Sequence, residues 1–160
     1  MLAIAFTEVE KQMTAKQYLS QVERLNKMIS NKLSEIYQVK SMALNISVLN
    51  EEDKVQTSGS KDRIGDMVSK MVDLEKEAQK YVDTYTELRR KVIMQIDSMP
   101  KENHYRVLFA KYIEDKTFDV IADEMGYSWR QIIRIHGAAL AEFEKMYSTD
   151  FVSLNVIYDR

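Results

Sequence analysis

The chain has 160 residues, near the usual size of a single domain, with 45% hydrophobic and 30% charged residues, four glycines and one proline. Scarce breakers and abundant helix formers exclude a disordered tail and point to an all-α protein. The absence of cysteine excludes a disulfide framework, a thiolate nucleophile and cysteine-ligated metal, and a formal net charge of −2 excludes a chain that coats nucleic acid through bulk positive charge.

In chain order, the opening MLAIAFTEVE has a short apolar run with no basic flank. Nowhere does an apolar stretch approach the roughly 18 to 20 residues needed to cross a bilayer. A protein that is neither exported nor membrane-spanning, housed in a reducing cytoplasm, is expected. From Leu19 the residues Val22, Leu25, Ile29, Leu33, Ile36, Val39, Ala43 and Ile46 recur three or four apart, which predicts one stripe of a long helix with Thr14 as its N-cap. The pattern decays at 50-NEEDKVQTSGSKD-62, a polar stretch around Gly59 that reads as a loop.

A second run, Ile64, Met67, Met71, Leu74, Ala78, Tyr81, Tyr85, Leu88 and Val92, alternates steps of three and four over about four heptads. Two long helices with facing seams and one polar loop predict an antiparallel, coiled-coil-like helical hairpin over residues 1–99; the alternative is that each helix pairs with a copy of itself. The single proline, Pro100, fits the first turn of a new helix and sets the expected domain boundary. A helix is predicted over 101–115, then a C-terminal helix-turn-helix domain within 100–147. The tail 148–160, with Phe151, Leu154, Val156 and Tyr158, reads as extended or loosely ordered.

The stretch 117-TFDVIADEMGYSWRQIIRIHGAALAEFEKM-146 carries the functional signal. Counted from Phe118, a twenty-residue helix-turn-helix needs apolar groups at positions filled here by Ile121, Met125, Tyr127, Ile132 and Ile135. It also needs a small residue where Ala122 stands and a left-handed residue where Gly126 stands. Ser128 is placed to cap the second helix. Trp129, Arg130, Gln131, Ile133, Arg134 and Gly137 then fall on the free face near its start, where arginine grips guanine bidentately and glutamine pairs with adenine. His136 would add a phosphate contact if it pointed outward. No acid occurs between Glu124 and Glu142, although residues 101–147 as a whole are not basic.

Here the residues resemble a known family. From Met99 to Met146 the chain is similar to region 4 of bacterial sigma-70 factors, with "IADEMGYS" and "IIRIHGAAL" matching that family's helix-turn-helix pattern. The resemblance implies that Trp129, Arg130, Gln131 and Arg134 touch double-stranded DNA. Where sigma factors carry the region that melts the promoter, residues 1–98 carry the heptad hairpin. The combination therefore resembles small phage transcriptional regulators of the ArpU and RinA type.

The expected function is thus a sequence-specific, phage- or prophage-encoded DNA-binding regulator acting in the bacterial cytoplasm. Ser128, Trp129, Arg130, Gln131, Ile133 and Arg134 form its DNA-binding residues. The hairpin is expected to serve self-association, as a dimer or higher oligomer, or contact with RNA polymerase. A phage small terminase subunit and a protein-binding helical adaptor are the alternatives. No phosphate loop, no nucleophile with its base and no metal-ligand spacing is present, so neither an enzyme nor a cofactor is expected. His104 and His136 are expected in structural or surface roles, and Trp129 either plugs the core or stands exposed.

Overall fold

A computed structural model describes residues 13–52 and 59–151, apart from the side chains of 46–52 and 59–61. Among these residues the protein is all-α: α1 (Ala15–Glu52), α2 (Gly59–Asp97), α3 (Glu102–Tyr112), α4 (Phe118–Met125), α5 (Trp129–Tyr147) and a 3-10 turn at Ser148–Asp150. Two compact units are distinguished. One comprises Met1–Gln21 and Lys91–Arg160, of which residues 13–21 and 91–151 are described; the other comprises Val22–Arg90.

In the second unit α1 packs against α2, and the reversal between them makes an antiparallel hairpin. Val22, Leu25 and Val39 of α1 and Leu74 and Ala78 of α2 are buried. Ile29, Ile36, Met67, Met71, Tyr81 and Tyr85 are half-buried, as the seam of a two-helix layer must be. One seam assignment is corrected. Leu33 is 54% exposed, and the layer between Ile29 and Ile36 is held by Lys32, whose Nζ reaches Glu77 Oε2 across the hairpin at 2.7 Å. Strict heptad spacing runs 29, 32, 36, 39; a lysine satisfies it by laying its methylenes along the seam and its ammonium at the rim.

Both helices also run further into the polar stretch than its composition suggests, α1 to Glu52 and α2 from Gly59. Adding a residue to an existing helix needs no new nucleus, so polar helix formers extend it. Residues 53–58 and the Ile46 side chain lie outside the described residues.

In the first unit Thr14 caps α1 as expected. Its Oγ1 accepts from the Gln17 amide at 3.3 Å, and the Thr14 amide donates to Gln17 Oε1 at 2.9 Å. Pro100 lies inside this unit and precedes Lys101, the N-cap of α3, so it stands just before the first turn instead of in it. α3 ends at Tyr112, earlier than the expected 115. Asp115 adopts φ 55° there, and the Lys116 amide closes back on the Ala110 carbonyl at 3.0 Å.

The core of this unit gathers Ala15, Tyr18 and Leu19 from the start of α1 and Val92 and Ile96 from the end of α2. To these it adds Val107, Leu108, Ile121, Ile132, Ala139 and Phe143. Each fully buried Leu, Ile or Phe contributes about 1.5–3 kcal/mol. Phe151 joins this core: its ring stacks on Tyr18 at 4.6 Å and on Phe143 at 6.0 Å. The first tail residues thus form a 3-10 turn and an aromatic anchor; Leu154, Val156 and Tyr158 lie outside the described residues. None of the described helices is long and apolar enough to cross a membrane.

Candidate nucleic-acid interface

Three helices build the site, and each slot of the helix-turn-helix pattern has its physical counterpart. Val107, Ala110, Ile121, Ala122 and Ile132 form one buried cluster, and Phe118, Met125, Tyr127 and Ile135 pack around it. α4 starts on Thr117, whose side chain accepts from the Val120 amide. It stops at Gly126, where φ 68° and ψ 30° are left-handed, and the following Tyr127 amide closes on the Ala122 carbonyl at 3.0 Å. Two residues later Ser128 opens α5, its hydroxyl accepting from the Gln131 amide in a capping box. This tight stop and restart turns α5 away from α4 with only three residues between them.

That turn leaves the start of α5 open on one side. Ser128, Trp129, Arg130, Gln131 and Arg134 are exposed, Trp129 by 52%. Ile133 is half-buried on the flank. Arg130 and Arg134, one turn apart, have no ion-pair partner among the described residues and no acid lies in the first turn of α5. Two free guanidiniums beside an uncompensated helix N-terminus favour an anion.

Two expected contributors are placed differently. The Gln131 side-chain oxygen accepts from the Ser128 amide at 2.9 Å and from its hydroxyl at 3.0 Å, so in this state Gln131 holds the helix start instead of presenting a free amide edge. His136 turns inward. It is 9% exposed, its Nε2 lies 2.9 Å from the Tyr112 hydroxyl, and the Phe118 ring meets it edge-on at 4.9 Å. Burial, reinforced by Lys16 and Lys111, lowers its pKa to about 4, and burial pushes the Tyr112 hydroxyl up to about 12. A neutral imidazole accepting a hydrogen bond from the tyrosine hydroxyl satisfies both shifts. It is positioned for the core and not for a phosphate.

His104 is also buried, against the carboxylate of Glu142, whose other oxygen faces Lys101 at 3.8 Å. Acid is segregated on the other side of the motif. Asp119, Asp123 and Glu124 of α4 are exposed, and Lys116 is clamped between Glu114 at 3.0 Å and Glu124 at 2.8 Å. The near-balance of seven basic and eight acidic residues over 101–147 therefore hides a polarity: acid gathered beside α4, unpaired arginine along the start of α5. Comparison of the chain with family models, with curated proteins and with solved structures finds no match.

Proposed function

We propose that this protein is a sequence-specific, double-stranded-DNA-binding regulator of transcription, phage or prophage encoded, with α5 as the helix that enters a major groove. The observation that carries the reading is the pair Arg130 and Arg134. Both are exposed and unpaired on a helix whose opposite side is sealed into the core by Ile132, Ala139 and Phe143. Arg130 and Arg134 supply bidentate contacts to guanine, and Trp129 supplies an apolar face at the groove wall. Ser128 and Gln131 fix the start of the helix, so the arginines are presented without a search over helix ends.

A single module of this kind contacts one half-site, so a second copy is needed for affinity. The hairpin unit offers a surface for it. Leu33, Tyr37 and Leu44 on α1 and Val68, Val72 and Val82 on α2 are all exposed, and each immediately follows a seam position. In an antiparallel pair the residues one step past the seam lie on the same flank of both helices, which makes one apolar strip available to another copy or to RNA polymerase.

The test is selection of binding sequences from a random duplex library by the full chain, followed by titration of the Arg130→Ala/Arg134→Ala variant. Loss of sequence preference with unchanged helicity and thermal midpoint is expected. Selection by the double variant of the same sequences at the same affinity would overturn the assignment.

A further inference from the structure

Among the described residues, the cations of the first unit fall into two sets. Lys116 and Lys101 face glutamates, Lys111 sits over the Phe118 ring and donates to the Lys116 carbonyl, and Lys91 donates to the Asp150 carbonyl. Lys16, Arg106, Arg130, Arg134 and Lys145 make no ion pair or hydrogen bond among the described residues. Three of these five lie on α5, and Lys16 lines a groove with Lys145 from the start of α1.

On α5 the exposed residues Arg130, Arg134, Ala138, Ala141 and Lys145 recur three or four apart and, with Gly137 beside them, form a single stripe. Past Arg134 this stripe carries only glycine and alanine until Lys145. Its far end opens into a groove of about 730 Å³ whose other wall is the beginning of α1, with Met13, Thr14 and Lys16 facing Ala141, Glu144 and Lys145. The Ala15 amide donates to Glu144 Oε2 at 2.9 Å. That bond ties the start of α1 to α5 and sets the one acid of the groove against the amide end of a helix, which offsets its charge.

We propose that Lys16 and Lys145, on the two walls of this groove, grip the sugar-phosphate backbone of the same duplex whose bases face Arg130 and Arg134. The proposal rests on the DNA-binding reading and adds to it a site built jointly by α1 and α5. Its spacing suits a duplex. Ala141 follows Arg134 by seven residues, or about 10 Å of helix, and a major groove is about 12 Å wide. A helix whose start lies at base edges therefore meets a phosphate ridge near Ala141, where Gly137, Ala138 and Ala141 leave no side chain to hold the ridge away. Base contacts then specify, and the two lysines position.

The experiment uses the full chain and a labelled duplex of random sequence about three helical turns long, titrated over a range of salt concentrations. Each phosphate contact contributes a slope of about −0.9 in log affinity against log salt. Lys16→Ala/Lys145→Ala should reduce that slope by about two and weaken binding roughly 10- to 50-fold near physiological salt, equally for random and selected sequences. Lys16→Arg/Lys145→Arg should restore both. A wild-type slope in the alanine variant, or failure of the arginine variant to restore it, overturns the clamp while leaving the α5 reading intact. Absence of any salt-dependent binding by the wild type removes the DNA reading itself, and the clamp with it.

Discussion

Tyr112 and His136 meet inside the first unit with the hydroxyl 2.9 Å from Nε2, joining α3 to α5 through a neutral imidazole. The His136 pKa, lowered to about 4 from an ordinary 6.5, makes this contact a source of pH dependence. Between those values the unfolded chain binds the proton and the folded chain does not, so stability is full above about pH 6.5 and falls as the pH drops toward 4. The loss is on the order of 2 kcal/mol once solvent screening is allowed for. Urea unfolding at pH 7 and pH 4.5 measures it, and His136→Gln should flatten the difference. Tyr112→Phe should destabilise the protein at pH 7 by about 1–3 kcal/mol, because it leaves a buried acceptor without a donor.

The turn between α4 and α5 depends on backbone conformation more than on space. Beyond its two chain neighbours, nothing lies within 4 Å of where a Cβ on Gly126 would stand, yet its φ is 68°. Gly126→Ala should therefore cost about 1–2 kcal/mol through left-handed strain alone. Ser128→Ala should cost about 1 kcal/mol through loss of the cap, while the amide of residue 128 still donates to Gln131 Oε1 and keeps it at the helix start. Both variants should lower the thermal midpoint and leave the selected sequences unchanged.

The hairpin separates burial from surface. Leu74→Ala, at a buried seam position, should cost about 2–4 kcal/mol, whereas Leu33→Gln should stay within about 0.5 kcal/mol. The double variant Tyr37→Glu/Val72→Glu should leave the helical content unchanged and lower the solution mass measured by light scattering. An unchanged mass would move self-association to another surface.

The helical class, the two long heptad runs and every slot of the helix-turn-helix were legible in the residues. Each depends on local rules of spacing, capping and left-handed glycine that hold wherever the chain lies. Thr14, Ala122, Gly126 and Ser128 play the parts their chemistry assigns them. Leu33 shows where such reading fails: its apolar character suggested the seam, but the period of the supercoil places Lys32 there.

What only the tertiary structure decided is which side chains face inward. A histidine or glutamine on a helix carries no sign of its partner, and Tyr112, from a different helix, turns His136 into the core. Phe151 was unreadable for the same reason, since its partners Tyr18 and Phe143 are far away in sequence. The groove that sets Lys16 across from Lys145 likewise brings together the start of α1 and the end of α5, and a proximity made by folding leaves no spacing in the sequence from which to find it.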